Sequence, residues 1–159
     1  MSRNVHIREA MVGDIDGLIP LLKELFSIEA DFSFNEDLQR RGLEMMLKQS
    51  ESRCMMAAFV DNQVIGMASI QTIISTVEGG IAGIVEDVVV APAWRSKRIG
   101  SGLLKAIEEW AFKKGLKRIQ LLADIENVPA LEFYKHLGWT STQLICLRKK
   151  DFSNERSWT

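Results

Sequence analysis

One stretch of the chain reads Val88-Val89-Val90-Ala91-Pro92-Ala93-Trp94-Arg95-Ser96-Lys97-Arg98-Ile99-Gly100-Ser101-Gly102-Leu103-Leu104. A β-branched run enters a short basic loop, and a helical pattern leaves it. The first turn of a helix carries N–H groups without intrahelical partners and the positive end of the helix dipole, so such a junction attracts phosphate. Gly100 and Gly102 keep side chains out of the way of an approaching anion. Arg95, Lys97 and Arg98 add positive charge, and Ser96, Ile99 and Ser101 belong to the same cradle. The bland alternative is a glycine-softened helix start with solvated basic residues, and the local pattern does not choose between the two. Neither GxxxxGK[ST] nor GxGxxG is present, which argues against a Walker loop and a Rossmann dinucleotide site.

Two other places hold groups that could move protons. Glu86 and Asp87 interrupt an apolar run. Period two puts Glu86 on the face of Val88 and Val90, and Asp87 on the other. A carboxylate there is either solvated near a strand end or a general base for an ammonium group, and Glu86 is the choice. Tyr134 shares a helical pattern with Ala130, Phe133 and Leu137. It is either a packing aromatic or, with an ordinary phenol pKa of roughly 10, a general acid for a leaving group. Asn127, two residues before Pro129, has the position of an N-cap. His6 and His136 belong to no triad pattern. No Cys/His cluster has metal-ligand spacing, so no metal is expected.

The elements that carry these residues follow from periodicity. Val5, Ile7 and Glu9 open a strand. Asp14 stands as an N-cap before Ile15, Leu18, Ile19, Leu22, Leu25 and Phe26 at helical spacing, with Pro20 a candidate kink. Asn35 caps a second helix. Residues 53–60 and 63–75 form a hairpin about Asp61-Asn62, and 81–90 adds a third strand after Gly79-Gly80. A helix runs from Gly100 to Lys114 and stops at Gly115. A strand over 117–123, a helix over 128–137 and strand material over 139–149 complete the order β-α-α-β-β-β-α-β-α-β. Hairpins followed by crossovers predict an α/β (α+β) mixed sheet of six or seven strands flanked by about four helices.

The 159 residues suit one domain, residues 1–150, with a loose polar tail over 151–159. Net charge is −1 with both signs interspersed, which argues against nucleic acid as a partner. No apolar run approaches the roughly 20 residues of a membrane span, and residues 1–9 lack the apolar core of a signal peptide. Cys54 and Cys146 read as small core residues, a usage that fits a reducing, cytoplasmic setting.

The run Val90-x-Pro92-x-x-Arg95-x-x-Arg98-x-Gly100-x-Gly102-Leu103-Leu104 resembles motif A of the GNAT acetyltransferases, Arg/Gln-x-x-Gly-x-Gly/Ala. Arg95 matches its first position and Gly100 its last, while Arg98 replaces the usual central glycine. Asn127-x-x-Ala130-x-x-Phe133-Tyr134-x-x-x-Gly138-Trp139 resembles motif B, and the resemblance covers residues 5–149. It implies an acyltransferase that moves acetyl from acetyl-CoA to a primary amine of a small molecule through a ternary complex. Acetyl-CoA would lay its pyrophosphate on residues 95–102 and its pantetheine arm along the backbone of Val88, Val89 and Val90. Asn127 would touch that arm, and Tyr134 would protonate the departing thiolate. Glu86 stands near the place where similar small-amine enzymes carry a base. A homodimer is a further expectation. Two other readings stay open: a peptide or protein N-acetyltransferase, and a non-catalytic acyl-CoA-binding domain of the same fold.

Overall fold

The computed structural model describes residues 4–152. The chain divides into two compact units at Leu121/Leu122. The first holds β1 (His6–Glu9), α1 (Ile15–Ile28), α2 (Glu36–Leu47), β2 (Arg53–Val60), β3 (Gln63–Ser75), β4 (Gly80–Val90), α3 (Ile99–Lys113) and β5 (Ile119–Leu121). The strands form one sheet in chain order. Pairing is antiparallel from β1 to β4 and parallel between β4 and β5, the mixed α/β arrangement expected.

Tight local chemistry sets these elements. Asp61 and Asn62 both take positive φ, 47° and 63°, as a two-residue hairpin turn with right-handed strand twist demands. Asn35 caps α2, its Oδ1 accepting from the Leu38 N–H at 3.2 Å. Asp14 does not cap α1 with its side chain. It ends a 3-10 turn, Val12–Asp14, and its carboxylate takes two bonds from Arg8, at 2.8 and 3.0 Å, and one from the Met11 N–H. Arg8 holds that carboxyl below the usual range. α1 runs through the exposed Pro20 without interruption.

The two faces of the sheet bury different helices. Leu18, Ile19, Leu21 and Leu22 of α1 and Leu43 of α2 pack with Met55, Ala57, Phe59, Met67 and Val89. On the other face Leu103 and Ile99 of α3 approach Gly66 so closely that a Cβ there would lie 3.0 and 3.4 Å from them. Leu103, Leu104 and Ile107 are essentially inaccessible. Burying such aliphatic side chains is worth roughly 1.5–3 kcal/mol each, so this packing, not helix propensity, fixes where α3 begins.

The second unit holds α4 (Val128–His136). The Asn127 Oδ1 accepts from the Ala130 N–H at 3.2 Å, so Asn127 is its N-cap. Gly138, with φ 88°, ends it. The Gly138 N–H returns to Lys135 O and the Trp139 N–H to Tyr134 O, both at 3.0 Å, which is a Schellman ending.

Three expectations need correction. The sheet has five strands among the described residues, not six or seven, because residues 140–150 join no ladder. Leu144-Ile145-Cys146-Leu147 is an unbroken apolar run without period two, so it specifies no buried face, and all four are exposed. Cys146 is therefore not a core residue, whereas Cys54 is buried and burial pushes its thiol up to about 12. The strand expected over 117–123 shrinks to Ile119–Leu121. The loose tail expected over 151–159 falls largely on 153–159, which lie outside the described residues.

Candidate active site

β4 is not one uniform strand. Gly83, Ile84 and Val85 pair with Ile119, Gln120 and Leu121 of β5, and there the β4–β5 ladder ends. Glu86–Val90 continue along β3 alone among the strands of the described residues. The Ala91 N–H donates to Ile65 O at 2.8 Å, which sets the alternation. Val89, opposite Met67, addresses β3, while Val88 and Val90 turn their peptide groups toward the edge that β5 has left.

The pairing also carries a bulge. Ser69 faces Glu86 and Met67 faces Val89, so Ala68 alone stands against Asp87 and Val88. Asp87 absorbs the extra residue in the left-handed region, φ 52°. An Asp tolerates this better than most residues because its short side chain can bond locally. The bulge overturns simple parity: Glu86 shares a face with Val89, not with Val88 and Val90.

Glu86 and Asp87 both line a cavity of about 230 Å³ formed by α1, α2 and the sheet. Its other walls include Leu22, Phe26, Leu38, Leu43, Met46 and Met55. Glu86 is exposed, and its backbone oxygen accepts from the buried Ser69 hydroxyl at 3.1 Å. Burial, together with the negative charges of Glu86 and Glu29, raises the Asp87 carboxyl to about 6. Asp87 is thus the acid that sequence parity passed over. The available signal was two adjacent acids inside an apolar strand. Phe32 and Phe34, between α1 and α2, do not line this cavity. Phe32 packs against Phe26, with ring centroids 5.7 Å apart, and Phe34 packs on the core cluster.

The basic loop uses its charges unequally. The Arg95 guanidinium donates to Glu24 at 2.9 Å and to Val90 O at 3.1 Å, tying the loop to α1 and to the end of β4. Lys97 folds back onto Ala93 O and over the Trp94 ring, 4.9 Å from its centroid. Arg98 and Ser96 both have φ 61°. A left-handed Arg98 explains why the family motif favours glycine there, at a cost of roughly 1–2 kcal/mol for a side chain. Arg98 precedes α3 and no side chain caps that helix. The amides of Ile99, Gly100 and Ser101 lie in the first turn, which has no intrahelical acceptors. Ser101 bonds Arg98 O through its hydroxyl at 3.0 Å, and a Cβ on Gly102 would meet Ile7 at 2.9 Å.

In the second unit, Tyr134 occupies the position of the Schellman ending whose carbonyl receives Trp139. The two rings meet edge-on at 5.9 Å, and Phe133 lies 5.2 Å from Tyr134. The helix ending therefore sets where the Tyr134 ring lies. Among the described residues no three His, Cys, Asp or Glu side chains gather as metal ligands, and no helix is long and apolar enough to cross a membrane.

The helix start and the strand edge beside it both offer backbone amides, the first to an anion and the second to an extended chain. The Acetyltransferase (GNAT) family pattern matches residues 19–139, and the chain belongs to that family of acyltransferases. The aminoalkylphosphonate N-acetyltransferase of Salmonella typhimurium is 28% identical over 133 residues, covering 84% of this chain and 83% of that protein. The uncharacterized N-acetyltransferase MJ1207 of Methanocaldococcus jannaschii is 32% identical over 72 residues, 45% of this chain and 32% of that one, so the match spans about a third of that protein. Among solved structures, the aminoglycoside N-acetyltransferase AAC(6')-Iy in complex with CoA superposes with a TM-score of 0.81 at 20% identity, covering 94% of this chain and 97% of the other. That likeness is one of fold.

Proposed function

We propose that this chain transfers acetyl from acetyl-CoA to the primary amine of a small molecule, as a single catalytic domain over residues 1–150. The observation that carries the reading is the start of α3, without a side-chain cap, directly after a strand half that has no second ladder among the described residues. The family pattern crosses the boundary between the two compact units, which supports one domain. The name of the Salmonella relative supports a small amine as acceptor. A homodimer in the cytoplasm, acting without metal and without nucleic-acid or membrane partners, remains part of this proposal.

In this mechanism the pyrophosphate rests on the backbone amides of residues 96–102, with Arg95 holding the loop and Arg98 supplying charge. The pantetheine amides pair with the open edge at Val88 and Val90, as an added strand would. Val89, committed to β3, contributes its side chain to the core. Asn127 bonds the arm while it caps α4. The acceptor enters as an ammonium and gives a proton to Glu86. Its nitrogen then attacks the thioester carbonyl carbon, and the Val88 N–H stabilises the oxygen as charge develops. The C–S bond breaks as the N–C bond persists, Tyr134 gives its proton to the thiolate, and the excess proton on the acylated nitrogen returns to the Tyr134 phenolate, directly or through water, to leave the neutral amide. No covalent enzyme intermediate is needed, because holding both substrates in one complex supplies much of the rate.

A pH–rate profile at saturating acetyl-CoA, read by thiol release, tests the proton roles. Tyr134→Phe should keep CoA affinity and lower kcat by ~10²-fold, the lower range for a positioned acid. Glu86→Gln should lose most activity well below the acceptor's own pKa and regain it as neutral amine accumulates. An unchanged profile removes Glu86 as base, and full turnover in Tyr134→Phe, with chemistry rate-limiting, leaves Tyr134 as packing only.

A further inference from the structure

We infer that the cavity between α1, α2 and the sheet selects a small cationic amine with an apolar body, and rejects phosphonate-bearing amines. This rests on the acetyltransfer reading and narrows it to a substrate class.

Size is the first argument. About 230 Å³ falls below the roughly 300–1,000 Å³ of sites for drug-sized ligands.

Chemistry is the second. Leu22, Phe26, Leu38, Leu43, Met46 and Met55 offer the body of an acceptor carbon and sulfur surface, which gains from losing water, while Gln39, Ser69 and Gln71 add neutral polar groups to the wall. The charged groups at the wall are the carboxylates of Glu86 and Asp87, both on the bulged part of β4. None of the described residues lining the cavity is Lys, Arg or His. An ammonium is therefore matched at one end and an alkyl or aryl group along the rest. A phosphonate would face two carboxylates without a cation to answer it, and such like-charge juxtaposition costs several kcal/mol. The raised Asp87 carboxyl agrees with a site whose negative charge awaits a partner.

The bulge gives the arrangement its logic. In a regular strand Asp87 would point through the sheet away from Glu86. The extra residue brings both carboxylates to one cavity, next to the edge where the thioester is proposed to lie.

The test compares hexylamine, phenethylamine and aminoethylphosphonate, by thiol release with acetyl-CoA and by calorimetric binding of each amine to the CoA-loaded protein. The apolar amines should exceed aminoethylphosphonate in kcat/KM by about 10²-fold, the equivalent of the like-charge cost. Gly42→Leu supplies the second arm. Gly42 lines the cavity, and a Cβ there meets nothing within 4 Å, so the substitution fits α2 and fills the acceptor space. It should raise KM for phenethylamine about tenfold and leave CoA affinity unchanged, as loss of a few contacts of a methylene-sized kind would. Equal or better use of aminoethylphosphonate, or an unmoved KM in Gly42→Leu, overturns the substrate class while acetyltransfer stands. Calorimetric binding of the apolar amines without any thiol release overturns acetyltransfer while the cavity's selectivity stands. Neither binding nor turnover overturns both.

Discussion

The two halves of β4 solve different problems with one strand. Gly80–Val85 runs along β3, Gly83–Val85 has β5 on its other side as well, and the residues here are chosen for fit. A Cβ on Gly83 would lie 2.7 Å from Ile70 and 2.8 Å from Leu116, so glycine there is a packing requirement. Glu86–Val90 has one neighbouring strand among the described residues, a left-handed Asp87 and two acidic residues at the wall of a cavity. By the rules that stabilise a sheet this half is poorly built. The contrast shows the bulge as the border between residues that serve the fold and residues available to a ligand.

The comparison can be broken first at Gly83. Gly83→Val should destabilise the protein by about 3 kcal/mol, because Ile70 is fully buried and cannot move aside. Chemical denaturation checks this, and a variant as stable as the parent would mean that the paired half tolerates what the bulged half does. Four residues on, the sign should reverse. A carboxyl raised to about 6 in the folded chain binds its proton more tightly than in the unfolded chain, so stability falls as pH rises from about 4 to 6 and stays lower above. Asp87→Asn keeps a residue suited to positive φ and should raise stability by about 2 kcal/mol at pH 8, with the gain vanishing below about pH 4. Thermal melts of both proteins across that range decide it, and a gain of equal size at pH 3 would assign the effect to something other than the charge. The smallest effect lies in the loop beyond β4. Arg98→Gly should stabilise by at most about 1 kcal/mol, since relief at φ 61° is partly offset by the freer unfolded chain. Its CoA affinity separates charge from conformation: weaker binding by the stabler variant would show that the side chain itself meets the phosphates.

Much of the upstream fold was legible because the pattern there is local. Residues 53–60 and 63–75 have the same ends in the sequence reading and in the structure, since Asp61-Asn62 fixes both register and turn. The uncapped basic helix start was legible for the same reason. The bulge was not, because it belongs to the pairing of two strands and neither sequence alone states which residue is skipped. Its consequence, that Asp87 shares a cavity with Glu86, was hidden with it. Arg95 illustrates a second limit. Its type suggested a phosphate ligand, but Glu24 is 71 positions away in the chain and takes its charge. The apolar run Leu144–Leu147 misled in the opposite sense, since hydrophobicity without period two names no face.

The arithmetic of the bulge reaches beyond point substitution. Because Ala68 alone stands against Asp87 and Val88, the ladder contains one residue more than it needs. A chain lacking Asp87 would set Val88 against Ala68 and keep Glu86 opposite Ser69 and Val89 opposite Met67, so every buried contact of β4 keeps its register. Single-residue deletions inside a central strand ordinarily turn all later side chains to the wrong face. Here the deletion should be neutral for folding and costly only for the cavity, which would mark Asp87 as an insertion retained for its chemistry.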